Sequence, residues 1–176
     1  MAGSPLTRGF RLSIAHKDRI AVALAHPARP VGIDVEQVTA DPDALIRVAL
    51  GPAELRLAEG LAAREGTGLP AALTALWCAK EAAAKAAGGG LGGRPRDWRV
   101  AGDPDSGALL VTSPEGDPYP IRTTPLTAPL TAPLSARLTP PLTDTVPDHV
   151  VAWTAHRAAP SPVPVPLPLT EARHGN

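Results

Sequence analysis

The sequence predicts an α+β fold, in which a small antiparallel sheet packs against one long helix. Three observations lead to this prediction. Short apolar runs bounded by turn residues are typical of strands. The alanine-rich stretch 70–87 has the composition of a strong helix and ends at a run of glycines, 88–90. The 176 residues, 44% of them hydrophobic, suffice for a single domain with its own core.

Turn and cap residues divide the rest of the chain into further elements. Asp41 before Pro42 and Gly51 before Pro52 have the pattern of helix starts, with proline at the first helical position. The predicted elements are a hairpin at 10–15 and 20–25, an acidic strand at 31–36, helices from Pro42 and Pro52, the long helix, and strands at 98–101, 108–112 and 149–156.

Two proline-rich segments stand apart from these elements. Residues 124–147 repeat Pro-Leu-Thr, and proline at this frequency is incompatible with a helix or a central strand. We interpret this segment as a surface loop inserted into a single domain that spans 1–158. Residues 159–176 carry proline at alternate positions and predict a disordered tail.

Composition excludes several classes of partner. The net charge is zero and the pI about 7.0, which argues against nucleic-acid binding. No apolar run is long enough to span a membrane, and the N-terminus lacks an apolar signal core. Cys78 is the single cysteine, so it forms no internal disulfide, and we expect a small buried residue in a cytoplasmic protein rather than a nucleophile.

The acidic strand places two carboxylates on one face. Side chains alternate along a strand, so Asp34 and Glu36 share a face while the apolar residues between them point toward a core. Gly32, also on the acidic face, leaves room for a close approach. Adjacent carboxylates repel unless a cation compensates them, and Mg²⁺ favours such oxygen ligands. The alternative is an exposed strand face with two solvated acids.

The long helix carries a stripe of functional side chains. Trp77, Glu81 and Lys85 are spaced by four residues and therefore share one face. A third carboxylate and a lysine could join the metal and a phosphate bound to it. The alternative is a surface ion pair between Glu81 and Lys85, worth about 0.2–0.5 kcal/mol, with Trp77 as a core anchor.

Taken together, the two motifs resemble those of the 4′-phosphopantetheinyl transferases. In that family a Gly-Ile-Asp-Val/Ile-Glu strand precedes a Trp-x-x-Lys-Glu-Ala-x-x-Lys helix, as 31–36 precede 77–85 here. A third piece, LSIAH at 12–16, resembles the family's Ser-x-Ser-His strand. The resemblance covers about residues 10–112.

The resemblance implies the transfer of the 4′-phosphopantetheine arm of coenzyme A to a serine of an acyl or peptidyl carrier protein. It implies Mg²⁺ as cofactor and a place in polyketide or fatty-acid biosynthesis. The proton of the serine would go to Glu81 or to a metal-bound water. The implied residues are Asp34, Glu36 and Glu81 for the metal, Glu81 and Lys85 for catalysis, and Ser13, His16, Lys80 and Lys85 for coenzyme A. Without the family context, His16 beside a turn would be interpreted as a solvated histidine.

Two departures from the family pattern lead to further expectations. Ala15 stands where many members have a second serine, so one hydroxyl contact to the nucleotide is expected to be absent. Only about ten residues precede the Ser-x-Ser-His strand, whereas the larger enzymes have a whole additional half there. We therefore expect the active form to be an assembly. It would be a homo-oligomer with the cofactor between protomers, or a domain of a larger synthase.

Two other functions compete with the transferase. The first is a degenerate half-domain that binds a carrier protein or scaffolds a synthase without catalysis. The second is an unrelated Mg²⁺-dependent phosphohydrolase with another acid cluster. Its candidate ligands are Asp103, Asp105, Glu115 and Asp117, which lie in Gly- and Pro-rich turns. The presence of all three motif acids and of Lys85 favours the enzyme.

Overall fold

The computed structural model describes residues 9–18, 20–103, 107–126 and 148–155. These ranges contain seven β-strands and three α-helices. The strands are β1 (Arg11–Lys17), β2 (Ile20–His26), β3 (Ile33–Gln37), β4 (Arg99–Gly102), β5 (Leu109–Thr112), β6 (Pro118–Leu126) and β7 (His149–Thr154). The helices are α1 (Pro42–Ala49), α2 (Pro52–Glu65) and α3 (Leu69–Ala87), and a single 3₁₀ turn forms at Pro95–Asp97.

Five of the strands form one antiparallel sheet in the order β3-β7-β6-β5-β4. Helix α3 packs across one face of this sheet, mainly on β7, β3 and β6. The main core lies between them, with α2 behind the helix and Leu73, Leu76, Val111 and Ile121 fully buried. The predicted α+β fold, a small antiparallel sheet against a long helix, is confirmed.

Strands β1 and β2 form a separate antiparallel hairpin on the other face of the sheet. Ala15, Ile20 and Val22 of the hairpin pack in a second core against residues that include Ile33 and Val35 of β3. The hairpin turns at Asp18, whose φ is 51°. The Asp18 carboxylate contacts His149 Nε2 at 3.2 Å, which ties the turn to β7. The sheet is therefore covered by helices on one side and by the hairpin on the other.

The starts of α1 and α2 and the end of α3 agree with the cap residues in the sequence. Asp41 Oδ1 accepts a hydrogen bond from Ala44 N (2.9 Å), and Glu54 Oε2 accepts one from Gly51 N (2.7 Å). Helix α3 ends at Gly88, which has a left-handed φ of 86°. None of the helices in the described ranges is long and apolar enough to cross a membrane.

We predicted that a proline-rich loop begins at residue 124, and this start is wrong. Residues 124–126 belong to β6, a central strand of the sheet. Its prolines lie where β6 has a neighbouring strand on one side only. Pro118 and Pro120 pair with β5 alone, and Pro125 pairs with β7 alone. Because proline lacks a donor, it is tolerated where one side of a strand is unpaired. The rest of the predicted loop, 127–147, and the predicted tail, 159–176, lie outside the described residues.

Candidate active site

The two acids of β3 lie on the face of the sheet that packs against α3. Their cross-strand partners on β7 are Ala152 for Asp34 and Val150 for Glu36. Asp34 is 5% exposed, whereas the Glu36 side chain near the end of the strand retains 26% of its surface. The strand therefore carries one buried and one accessible carboxylate instead of two fully solvated acids.

Gly32 sets the distance between the acidic strand and the helix. A Cβ atom at this position would lie 1.8 Å from the Ala82 carbonyl oxygen and 2.8 Å from the Ala86 backbone nitrogen. From the other side Thr154 holds the strand, because its backbone N–H donates to Gly32 O at 2.9 Å and its Oγ1 accepts from Gly32 N at 3.2 Å. Only glycine permits this contact, as the sequence predicted for a close approach.

The stripe predicted on α3 lies at the margin of the helix that is next to these acids. Trp77, Glu81 and Lys85 are half-buried, while most other residues of the helix are fully buried. The Lys85 ammonium lies 2.6 Å from Asp34 Oδ1 and 3.3 Å from the Ile33 carbonyl oxygen. Among the described ion pairs Lys85 joins Asp34 and not Glu81, so the simple surface pair within the helix does not form.

A second lysine, which the sequence placed only in a turn, reaches the same site from the hairpin. Lys17 Nζ lies 2.8 Å from Glu36 Oε2, and the two side chains are 41% and 26% exposed. The pKa of Lys17 is raised, first by its hydrogen bond to Glu36 and then by the Glu36 charge. A signal was available in the sequence, because Lys17 shares a strand face with Ser13, the residue already assigned to the site.

Burial and like charges disfavour the ionised forms of Asp34 and Glu81. Burial raises the pKa of Asp34, and the hydrogen bond and charge of Lys85 only partly oppose it. Burial also raises the pKa of Glu81, followed by the negative charge of Asp34, while Lys85 again lowers it. Within the described residues, Asp34 Oδ2 is a buried oxygen atom without a hydrogen-bond partner. A cation bound here would reduce the repulsion between the carboxylates and would give Asp34 Oδ2 a partner.

The two residues predicted to contact coenzyme A from β1 lie on opposite faces of that strand. Ser13 is buried, and its Oγ accepts a hydrogen bond from the Ile33 backbone N–H at 3.0 Å. That bond ties the hairpin to the start of the acidic strand. His16 points outward and is exposed, one residue from Lys17. Ser13 therefore supports the site, whereas His16 is open to solvent on the outer face of β1.

Lys80 does not join the other residues of its motif. Its side chain has no exposed surface, and its ammonium lies 2.9 Å from Glu54 Oε1, 2.7 Å from the Ala49 carbonyl oxygen and 3.0 Å from the Pro95 carbonyl oxygen. Burial lowers the pKa of Lys80, and Glu54 opposes this. Glu54 in turn accepts hydrogen bonds from Val100 N and Gly51 N. This arrangement joins α2, α3 and β4, and it does not favour the predicted contact with coenzyme A.

Cys78 forms part of the floor beneath the acids. Its side chain is fully buried, and its Sγ lies 3.5 Å from the Val150 carbonyl oxygen. Burial, followed by the negative charge of Asp34, raises the pKa of the Cys78 thiol well above its usual value. A thiol in this state is a poor nucleophile. The prediction of a small buried residue at this position is confirmed.

The acids of the competing phosphohydrolase lie in separate turns. Asp103 is in the turn between β4 and β5, whereas Glu115 and Asp117 are in the turn between β5 and β6, where their backbone N–H groups donate to Ser113 Oγ. Asp105 lies outside the described residues. The described acids of this set do not form the cluster that this alternative requires.

A sequence model of the 4′-phosphopantetheinyl transferase superfamily matches residues 30–138, which is more than half of the chain. This chain belongs to that superfamily. The matched range includes β3 and α3, with Asp34, Glu36, Glu81 and Lys85, while Ser13 and His16 precede it. None of the curated proteins matches the chain.

Mg²⁺, the cofactor associated with this superfamily, fits the site in its donor chemistry. Mg²⁺ takes oxygen ligands, and Asp34 Oδ2 is an unpaired carboxylate oxygen, among the described atoms, beside two further acids. In the described ranges, however, no three His, Cys, Asp or Glu side chains lie close enough together to hold a metal ion. Asp34, Glu36 and Glu81 are thus neighbours, but they do not converge as a ready-made ligand set. Two of them instead hold the ammonium groups of Lys85 and Lys17.

A pocket of about 330 Å³ opens beside Glu36 in this transferase-superfamily domain. It is lined by Lys17, Glu36, Gln37, Val38, Thr39, Ala40, Leu45, Thr74 and Trp77. Thr74 Oγ1 accepts a hydrogen bond from Thr39 N at 3.0 Å, which fixes the loop after β3 against the helix. The pocket therefore connects the accessible acid with an apolar wall.

Proposed function

We propose that this protein transfers the 4′-phosphopantetheine arm of coenzyme A to a serine hydroxyl of an acyl or peptidyl carrier protein. The observation that carries the proposal is the contact between Lys85 of α3 and Asp34 of β3 at 2.6 Å. It joins the two motifs of the superfamily at one place, with Glu81 and Glu36 beside it. Membership of the superfamily supports phosphopantetheine transfer as the general reaction.

Each residue of the site has a role in this reaction. Asp34, Glu36 and Glu81, which do not converge in the described part of the structure, would have to draw together to hold Mg²⁺, which when bound would polarise the phosphoryl oxygens and neutralise charge on the leaving 3′,5′-ADP. Lys85 supplies a positive charge next to the same phosphates. The serine oxygen forms the new bond to phosphorus as the bond to 3′,5′-ADP breaks. Glu81 is the carboxylate that we propose as acceptor of the serine proton when that bond forms.

The surroundings of the acids suggest how the two substrates approach. His16 is exposed near Lys17, so it is available to a phosphate group of coenzyme A. The pocket beside Glu36 offers an apolar wall with Leu45 and Trp77, where a carrier protein or the arm itself could lie. We assign Ser13 to support of the site and leave Lys80 out of the cofactor-binding set. We retain a place in polyketide or fatty-acid biosynthesis as part of the proposal.

A loading assay tests this function. The protein is incubated with coenzyme A, Mg²⁺ and an apo acyl or peptidyl carrier protein, and mass spectrometry measures the added phosphopantetheine. Asp34→Ala should lower the loading rate by about 10²–10³-fold, since it removes a proposed metal ligand and with it the electrostatic stabilisation that the bound cation would supply at the reacting phosphate. Glu59→Gln, at an exposed position of α2, is the matched control and should load normally.

Three results would contradict the proposal. If the wild-type protein binds a carrier protein but loads none, the degenerate half-domain becomes the better interpretation. If Asp34→Ala loads as fast as the wild type, Asp34 has no part in the reaction and the proposed site is wrong. Removal of Mg²⁺ with EDTA should abolish loading in the wild type, and persistent loading would show that no metal is needed.

A further inference from the structure

Lys17 is a cation at the acid site to which neither motif gives a role. We propose that Lys17 is a second phosphate-binding cation, which Glu36 holds through its ion pair until a divalent cation takes over the Glu36 carboxylate. The proposal rests on the function proposed above, because it concerns how that site receives its metal and its nucleotide. It begins from the Lys17–Glu36 contact of 2.8 Å.

The backbone of Lys17 is anchored, so only its side chain is free to move. Ser13 and Ala15 share its face of β1, and both are buried. Ser13 Oγ accepts the N–H of Ile33 on the edge strand of the sheet, which fixes the hairpin beside β3. The end of β1 therefore lies next to the end of β3. From there the four-carbon stem of Lys17 reaches Glu36 and leaves its ammonium at the rim of the pocket.

The Lys17–Glu36 pair has the properties of an exchangeable contact. Its side chains are 41% and 26% exposed, and ion pairs in water-accessible positions contribute little to stability. The Lys80–Glu54 pair, whose side chains are 0% and 9% exposed, is a permanent contact by comparison. Lys85 is also less free than Lys17, because its ammonium has two acceptors, Asp34 Oδ1 and Ile33 O.

A divalent cation at Glu36 would compete directly with the Lys17 ammonium for the same carboxylate oxygens. The displaced ammonium would then need another acceptor, and a phosphate group of coenzyme A is a strong one. Metal and nucleotide should therefore bind cooperatively, and each should raise the affinity for the other by the same factor. In the absence of metal, Glu36 should keep Lys17 away from the nucleotide.

A double-mutant cycle on coenzyme A binding without metal tests the exchange. Affinities are measured by calorimetry in EDTA for the wild type, Glu36→Gln, Lys17→Met and the double variant. If Glu36 holds Lys17, Glu36→Gln should tighten binding about threefold to fivefold in the wild-type background. The same change should have almost no effect when Lys17 is already methionine, so that the two changes are not additive.

A simple effect of charge at a distance gives a different result. In that case Glu36→Gln would tighten coenzyme A binding by the same factor in both backgrounds, which would overturn the inference. Lys17→Arg keeps the charge and should behave as the wild type. Arg64→Met is the charge control, because it removes one positive charge from an exposed ion pair on α2. It should leave the affinity for coenzyme A unchanged in both the Glu36 and the Glu36→Gln backgrounds.

Metal affinity gives a second, independent measurement. The free Mn²⁺ signal in electron paramagnetic resonance should show tighter Mn²⁺ binding to Lys17→Met than to the wild type when coenzyme A is absent. With Mn²⁺ present, coenzyme A should bind this variant about tenfold more weakly. Equal affinities in both measurements would refute the role of Lys17.

The failure of this inference can be told apart from the failure of the proposed function. If the wild-type protein binds coenzyme A and loads carrier protein but the double-mutant cycle is additive, only the role of Lys17 is refuted. If the wild-type protein binds no coenzyme A, the proposed function is refuted as well.

Discussion

Substitution of Gly32 by alanine should separate the acidic strand from the long helix. The new methyl carbon would lie 1.8 Å from the Ala82 carbonyl oxygen and 2.9 Å from the carbonyl carbon of the same residue. Both atoms belong to the backbone of α3, and Ala82 is fully buried. A flexible side chain could rotate away from such a contact, whereas a helix held on several sides cannot. The strand must therefore shift.

The loss of folding free energy caused by this shift can be estimated. Extra methylene groups in a packed core typically cost about 1–3 kcal/mol, and a clash with rigid backbone belongs at or above the upper end. We expect Gly32→Ala to lower the free energy of unfolding by about 3 kcal/mol. For a chain of this size, that corresponds to a fall in melting temperature of about 6–12 °C. Because Asp34 lies two residues further along, the Lys85–Asp34 contact should be lost and carrier loading should fall with it.

Urea unfolding followed by circular dichroism, together with the loading assay, measures both effects. Gly60→Ala is the matched control, since it adds the same methyl group at an exposed position of α2 with no atom within 4 Å. That variant should gain about 0.5–1 kcal/mol because alanine is the better helix former. The reasoning is refuted if Gly32→Ala unfolds at the same urea concentration as the wild type or loads carrier protein at the same rate.

Three further predictions concern lysines and the assembly. Lys80→Met should lower the free energy of unfolding by about 3–5 kcal/mol, because it leaves Glu54 buried without its cation, and Lys80→Met/Glu54→Leu should cost less than the single changes added together. Lys85→Met should cut the loading rate at least tenfold but cost less stability than Lys80→Met, since the Lys85 side chain is 31% exposed and that of Lys80 is fully buried; a loss of stability alone would contradict its catalytic role. We also expect light scattering to show an assembly that Ile14→Glu dissociates into folded monomers, because Ile14 is 54% exposed on the outer face of the hairpin; a wild-type monomer with full activity at high dilution would show the opposite.

The elements of the fold could largely be predicted from local patterns. Helix starts at Pro42 and Pro52 follow from proline and a preceding cap residue, and the end of α3 follows from Gly88. These signals act within a few residues and need no tertiary information. Strand β6 was missed for the converse reason. Whether proline is tolerated depends on which side of the strand is paired, and pairing is a long-range property.

Some features of the candidate site could likewise be predicted from local patterns, and others could not. Alternation along β3 and four-residue spacing along α3 are enough to assign Asp34, Glu36, Glu81 and Lys85 to their faces. Helical geometry also carried an unused signal, since Lys80 and Lys85 are five residues apart and therefore about 140° apart around the helix. The family motif made both lysines look equivalent, but only one lies at the site.

The sequence by itself determined which side chains share a strand or helix face, because that depends on the fixed periods of the backbone. Only the tertiary structure decided which charges meet across elements. Lys85 contacts Asp34 rather than Glu81 because Gly32 lets β3 approach α3, and Lys17 contacts Glu36 because Ser13 anchors the hairpin to the edge strand. Ion pairs depend on distances between atoms far apart in the chain, and those distances exist only after the sheet, the helix and the hairpin have packed.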